Sequence, residues 1–410
     1  TAYEILTCDW SSDVCSSDLD RWLLPDGIEE VLPDDARRLE AMRRQILDLF
    51  YTWGYELVMP PMIEYLEALL TGAGKELDLQ TFKLTDLLTG RLMGIRPDMT
   101  PQAARIDAHY LKRSGPVRLC YLGSVLRTRP DEFGGSREPL QLGAELFGHA
   151  GPESDAEILC LMVATLQLAG IDELHIDLGH TGVFHGLVSQ AELDAQQQSD
   201  LFDALQRKAR TDVETLLNTM GVERRRRNML TALIELNGGQ EVLTEARQQF
   251  KNAPTSVAKA LDNLEEVASI VARKLPSLQL HFDLAELTGY HYYTGMVFSA
   301  FVPTYGRAVA RGGRYDGIGQ AFGRARPATG FGADLRLLLA LLPSQPSVPS
   351  GILAPDEDDV SLQLEIERLR AAGERVVVRL SGAETRTSES GCERELVRQG
   401  GQWVVARIKR

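Results

Sequence analysis

The residues with the most chemistry in this sequence are side chains that hydrogen-bond rather than attack. The stretch AELTGYHYYTGMVFSAF, residues 285–301, sets Tyr290, Tyr292, Tyr293 and Thr294 around His291, between two glycines and with no Arg or Lys. Hydroxyl-bearing aromatics in such a run can wall a pocket and both donate and accept hydrogen bonds, but they cannot hold an anion. A second stretch, GIRPDMTPQAARIDAHYLKR, places Asp98 just ahead of Thr100 and Pro101, a good N-cap and first-turn pair. Asp98 thus sits where a helix dipole favours negative charge, and Lys112 and Arg113 are expected to close that helix at its negative end. A third stretch, EPLQLGAELFG at 138–148, has a period of two. Leu140, Leu142, Ala144 and Leu146 fall on one face, and Gln141, Gly143, Glu145 and Phe147 on the other. The second face, an amide, a gap, a carboxylate and an aromatic, packs poorly against a helix and makes a good floor for a polar ligand.

The elements that must position these groups follow from periodicity. From Asp34 to Tyr51 the residues Leu39, Met42, Ile46, Leu49 and Phe50 recur at helical spacing, with Arg37, Arg38, Arg43 and Arg44 on the other side. GYELVMPPM follows as a short strand stopped by Pro60 and Pro61, which suits an edge or an interface. VRLCYLGSVLR, residues 117–127, pairs with 138–148 as a hairpin, with Arg127 on the face of Val125, Gly123 and Tyr121. Its glycines, Gly123 and Gly143, remove side chains where something must approach the backbone, unless this face simply meets water. A helix over 155–170 ends at Gly170, and ELHIDLG makes a strand. Between about 186 and 275 helix follows helix in an inserted module whose Arg224–Arg227 run reads as a solvated face rather than a phosphate site. Sheet character returns with LQLHFDL, the 285–301 stretch and RAVARGGRYDGI. Period two in 285–301 sets Tyr293, Gly295 and Val297 on one face and Tyr292, Thr294 and Met296 on the other. PSQPSVPSG at 343–351 reads as a linker. Beyond it the order is a strand (GILAP), a helix (362–372), a strand (RVVVRL), a helix (about 386–400) and a strand (QWVVARI), a small βαβαβ domain with a parallel sheet.

Length and charge bound the rest. At 410 residues, two or three domains are expected. No apolar run approaches the roughly 20 residues that cross a bilayer, so no membrane partner is expected and the cytoplasm is the expected location. A net charge of −14 gives no general attraction to phosphate, which shifts the expectation from nucleic acid to small molecules and proteins. Cys8, Cys15, Cys120, Cys160 and Cys392 form no C-x-x-C pair and no His cluster accompanies them, so no metal site is expected, and no cofactor. Residues 1–20, with the near-repeat SSDVC and SSDL, are expected to be a non-native extension, the protein proper beginning near Arg21.

From about Arg21 to Ile408 the chain resembles the class II histidyl-tRNA synthetase family. GYELVMPPM is similar to the dimer-forming first motif, RPDMT to R-P-E-x-T, LGSVLR with LQLGAELFG to the second motif, and GYHYYTG and GGRYDG to the histidine-recognition segments. The resemblance implies an α+β fold: a class II synthetase-like antiparallel sheet flanked by helices over 21–342, with the helical insertion, and a truncated anticodon-binding-like α/β domain over 352–410. It also implies a histidine pocket in which Asp98, Thr100 and Gln141 hold the ammonium, Glu145 and Tyr293 bond the imidazole, and Tyr292 and Tyr315 wall the site. A site built to hydrogen-bond an imidazole rejects isosteres that lack those atoms.

The departures from that pattern fall on the nucleotide. Thr288 and Leu337 stand where the family has arginines, Arg129 where it has Glu, and Gly135, Ser136 and Arg137 where it has Arg-Tyr-Arg. At roughly 3 kcal/mol for one well-placed donor, losing two arginines would remove most of the activation step. This combination resembles the family of regulatory subunits of short-form ATP phosphoribosyltransferase, paralogues of the synthetase. The resemblance implies a subunit with no catalytic residues, required with its catalytic partner for the first step of histidine biosynthesis and for feedback by L-histidine, on a homodimer core within a hetero-oligomer. An active histidyl-tRNA synthetase is the alternative, and an RNA-binding decoy a third reading. Arg127 is either a relic of the nucleotide site or a partner of Glu145 or of the ligand carboxylate, and Arg311 or Arg314 is the expected carboxylate partner. His291, where the family has Asp, is given no role.

Overall fold

The computed structural model describes residues 22–72, 75–130, 135–287, 289, 292–343, 351–380 and 391–408. The chain divides into two compact units, Thr1–Leu342 and Pro343–Arg410. The expected extension, Thr288, Tyr290, His291 and most of the expected linker lie outside the described residues. Among the described residues, no helix is long and apolar enough to cross a membrane.

The first unit is built on a nine-stranded sheet. Its strands are β1 (Glu56–Leu57), β5 (Val117–Ser124), β6 (Leu140–Phe147), β7 (His175–His180), β8 (Asn237–Gly238), β9 (Leu280–Asp283), β10 (Met296–Val302), β11 (Tyr305–Arg314) and β12 (Ala328–Asp334), in the order β1-β5-β6-β12-β11-β10-β7-β9-β8. Pairing is antiparallel except between β1 and β5 and between β7 and β9. A separate three-stranded sheet holds β2 (Ile63–Tyr65), β3 (Phe82–Thr85) and β4 (Leu92–Ile95), in the order β2-β4-β3.

One face of the large sheet carries the main core. Leu142, Ala144 and Leu146 of β6 meet the helix Pro152–Leu168, whose Ile158, Leu159, Leu161, Met162 and Leu166 are buried, and the helix Pro33–Thr52, which inserts Leu39, Met42, Ile46 and Phe50. Leu49, expected with them, is only partly buried. The opposite face, expected as a ligand floor or a wet surface, is packed in part by the protein's own residues. Leu119 and Phe147 pack with Ala104, Tyr315 and Ile318, while Tyr121 packs with Met99, Ala103 and Val125.

The helix that covers this face begins at Thr100, with Met99 rather than Thr100 at the N-cap. It is α-helical to Arg105, widens to a π-helix over Ile106–Leu111 and stops at Lys112, which is left-handed at φ 50°. Lys112 is its C-cap, so the helix closes at Lys112 and Arg113 as expected, with Arg113 paired to Glu56. Arg324 and Arg326 donate to the Arg113 carbonyl, and Arg326 pairs at 3.0 Å with Asp107, both side chains buried. The helical module runs from Thr181–Gln190 to Thr255–Lys274, interrupted only by the two residues of β8.

The second unit has four strands, β13 (Gly351–Ala354), β14 (Val376–Val378), β15 (Cys392–Gln399) and β16 (Gln402–Arg407), in the order β14-β13-β15-β16, with the helix Val360–Ala371. The helix expected near 386–400 is a strand over its described part. Gly400 and Gly401 both take positive φ, 58° and 84°, and turn β15 into β16 as a tight antiparallel hairpin with Gln399 opposite Gln402. The sheet is therefore mixed, not parallel: β13 pairs in parallel with β14 and β15.

Candidate functional site

Glu145 lies at the centre of the covered face, 1% exposed. Tyr121 on β5 donates its hydroxyl to Glu145 Oε1 at 2.8 Å, and the Tyr315 hydroxyl donates to Oε2. Two glycines make this approach possible. A Cβ on Gly143, opposite Tyr121 in register, would overlap the Tyr121 ring, and a Cβ on Gly330, opposite Glu145 on β12, would overlap the carboxylate. The gap at Gly143 is thus filled by the protein's own tyrosine rather than by a ligand. Gly123 similarly admits the guanidinium of Arg96, which donates to the Ser124 and Pro60 carbonyls.

Asp98 and Gln141 form the neighbouring corner. Asp98 Oδ1 accepts from Thr100 N at 2.9 Å, from Thr100 Oγ1 at 3.0 Å and from Gln141 Nε2 at 2.7 Å. Gln141 Oε1 in turn takes the Met99 N–H at 2.9 Å, which fixes which end of the amide faces Asp98. The Thr100 hydroxyl also lies 2.9 Å from that of Tyr121, so the two corners are joined.

Tyr292 and Tyr293 do not point to opposite faces as the strand period expects. The strand begins only at Met296, and the Tyr292 and Tyr293 amides both bond the Gly289 carbonyl. Both rings join the cluster around Tyr315: Tyr292 stacks on Tyr315 at 5.1 Å and meets Tyr293 edge-on at 5.2 Å. Gly313 leaves room for the Tyr293 ring. The Tyr292 hydroxyl is buried and has no hydrogen-bond partner among the described residues.

Electrostatics follow from this burial. Desolvation pushes the Glu145 carboxyl up to about 8, against the lowering effect of the two tyrosine hydroxyls. Burial, with Glu145 close by, raises Tyr121, Tyr292, Tyr293 and Tyr315 above the ordinary phenol range, so all four keep their protons at neutral pH. The arrangement can accept an N–H at Glu145, offer phenolic hydroxyls beside it and hold an ammonium at Asp98.

The arginines sort differently from expectation. Arg314 is spent internally, against Asp155 at 3.0 Å, Asp316 at 3.2 Å and the Ser154 hydroxyl at 2.8 Å, so it does not meet a ligand carboxylate. Arg311 is exposed, lies two residues from Gly313 along the same face of β11 and sits close enough to Tyr293 to act on it electrostatically. Arg127 donates from Nε to the Pro97 carbonyl at 3.2 Å. Two surface clefts of about 440 Å³ lie elsewhere, one beside Leu275 and one among Arg210, Asn218 and Arg227, and neither holds any of these side chains. Sequence reasoning missed Tyr121 as a polar partner; its phase with Glu145 across the hairpin was the available signal.

Residues 27–338 match the histidyl-tRNA synthetase family, and residues 349–406 match the ATP phosphoribosyltransferase subunit HisZ C-terminal domain. The chain is 55% identical over 397 residues to an ATP phosphoribosyltransferase regulatory subunit of Alkalilimnicola ehrlichii, covering 96% of this chain and 99% of that one. It is 54% identical over 389 residues to one of Pseudomonas entomophila, covering 94% and 98%. Among solved structures it is similar to an ATP phosphoribosyltransferase regulatory subunit/histidyl-tRNA synthetase of Bacillus halodurans, with a TM-score of 0.80, 29% identity, and 90% of this chain and 95% of that one covered. The histidyl-tRNA synthetase of Nostoc sp. shares the fold, with a TM-score of 0.77 at 20% identity over 94% and 97% of the two chains. The architecture is that of a class II synthetase-like fold with a small C-terminal sheet domain.

Proposed function

The chain belongs to the family of ATP phosphoribosyltransferase regulatory subunits, and we propose that it acts without catalytic residues of its own, binding L-histidine and passing that signal to a catalytic partner subunit. One observation carries the reading: Glu145, buried and bonded by two tyrosine hydroxyls, stands next to the Asp98–Thr100–Gln141 corner, so an imidazole and an ammonium can be met at once. In this reading Glu145 accepts the imidazole N–H, Asp98 the ammonium, and Arg311 faces the carboxylate.

Two further features support a sensor over a synthetase. The position matching the synthetase's ATP-clamping arginine is Leu337, a half-buried side chain with no charge to offer a phosphate. Arg137, at the last of the three positions where the synthetase has Arg-Tyr-Arg, is turned to the Asp26 and Arg127 carbonyls. Self-association fits the exposed Leu57, Met59, Met62 and Ile63 around the first-motif strand, and the cytoplasm fits a biosynthetic role. Calorimetry with L-histidine, followed by assay of phosphoribosyl transfer by the catalytic subunit with and without this chain, tests the proposal. Binding together with a histidine-sensitive rate is the expected outcome. Absence of histidine binding, or histidine-dependent pyrophosphate exchange with ATP, overturns it.

A further inference from the structure

Four polar groups form one continuous chain across the site. Glu145 Oε1 lies 2.8 Å from the Tyr121 hydroxyl, that hydroxyl 2.9 Å from Thr100 Oγ1, and Thr100 Oγ1 3.0 Å from Asp98 Oδ1. Each hydroxyl owns a single proton. Between two carboxylates, two hydroxyl protons must therefore serve three links, and one link is always empty. When Glu145 carries a proton and donates it to Tyr121, three protons serve three links and the chain is complete.

This count links the two ends of the site. When an imidazole N–H holds Glu145 in its ionised form, Tyr121 turns its proton towards Glu145 and Thr100 turns its own towards Tyr121. The empty link then falls at Asp98, whose Oδ1 keeps only the Thr100 N–H and the Gln141 amide. An ammonium supplies the missing donor. A ligand with the imidazole alone leaves Asp98 Oδ1 one donor short, so the ammonium adds more affinity when Glu145 is ionised.

We propose that Tyr121 is a positioning residue that makes recognition of an imidazole at Glu145 and of an ammonium at Asp98 mutually dependent. The proposal rests on the histidine reading above and defines the ligand as an imidazole bearing a primary ammonium. Tyr121 is fully buried, its ring is held by Met99, Ala103 and Val125, and Gly143 gives it the space. The groups facing Glu145 are Tyr121 from β5, Tyr315 after β11, Asp98 and Thr100 at the helix start, and Tyr292 and Tyr293 ahead of β10, with Tyr55 beyond. The phenols keep their protons between pH 6 and 9, which leaves Glu145 and the ligand to titrate.

The test is the preference for L-histidine over imidazole-4-propionate, which lacks the ammonium, read as a ratio of Kd values by calorimetry from pH 6 to 9. In the wild type this ratio changes with pH. In Tyr121→Phe, which keeps the ring and lets the Thr100 hydroxyl return to Asp98, we expect it to fall about tenfold, the size of one net hydrogen bond, while the propionate binds within about threefold of wild type. Thr100→Val leaves Asp98 without that hydroxyl proton in every state, so the preference for the ammonium stays as in the wild type, and Thr100→Ser keeps it too. An unchanged ratio in Tyr121→Phe overturns the proposal, as does an equal loss of both ligands there, since Tyr121 would then be structural only. Wild-type protein that binds neither ligand sinks the histidine reading itself, and the coupling with it.

Discussion

Replacing Glu145 by Gln isolates the buried carboxyl while keeping its size. The unfolded carboxyl titrates near 4.5 and the folded one near 8, so between these values the folded chain holds a proton that the unfolded chain has released. The stabilising contribution is complete below about pH 4.5 and is lost as pH rises to about 8, at about 1.4 kcal/mol per pH unit and about 5 kcal/mol at most. Gln does not titrate, so Glu145→Gln flattens this part of the pH–stability curve. The difference in melting temperature, variant minus wild type, therefore rises steadily from pH 5 to pH 8.5 in scanning fluorimetry. For binding, the lost charge-assisted hydrogen bond is worth about 1.5–3 kcal/mol, or about 10- to 150-fold in the Kd for L-histidine. Calorimetry in two buffers of different ionisation enthalpy adds a check: proton exchange on binding is present in the wild type and absent in the variant. Equal histidine affinity in the two proteins, or parallel pH–stability curves, refutes the reasoning that Glu145 is a buried, proton-holding acceptor for the ligand.

Three other perturbations read different parts of the site. Gly330→Ala puts a methyl group into the Glu145 carboxylate; it is expected to cost about 1–3 kcal/mol of stability by overpacking and to abolish histidine binding, checked by denaturant melts and calorimetry. Arg311→Met removes the proposed carboxylate partner; L-histidine should weaken about tenfold while histamine, which has no carboxylate, is unaffected, and an equal effect on both ligands counts against the assignment. Met59→Glu, at a side chain 76% exposed near the first-motif strand, should shift the isolated chain from dimer to monomer in analytical ultracentrifugation, with an unchanged dimer as the contrary result.

The helix Pro33–Thr52, the β5–β6 hairpin and the sorting of β6 into an apolar face and a face with Gln141 and Glu145 were legible in the sequence. These features follow from local periodicity, because helix and strand geometry fix which way each side chain points relative to its neighbours. The second unit shows where such reading fails: the Gly400–Gly401 turn signal lay in plain view, yet CERELVRQ carries helix-forming residues, and pairing with β13 and β16 overrides that propensity.

Only the tertiary structure decided the partners. Tyr121 meets Glu145 because Gly143 on β6 and Gly330 on β12 withhold their side chains; Gly143 was legible as a place of close approach, but no local pattern sets Gly330 opposite Glu145. Arg314 is claimed by Asp155, a residue 159 positions away, and the bonds of the Tyr292 and Tyr293 amides to the Gly289 carbonyl bring both rings into one cluster. A sequence states which groups are available and which face they start from. Which of them touch, and which protons they share, depends on close approach between distant segments, where the absence of a single Cβ decides what fits.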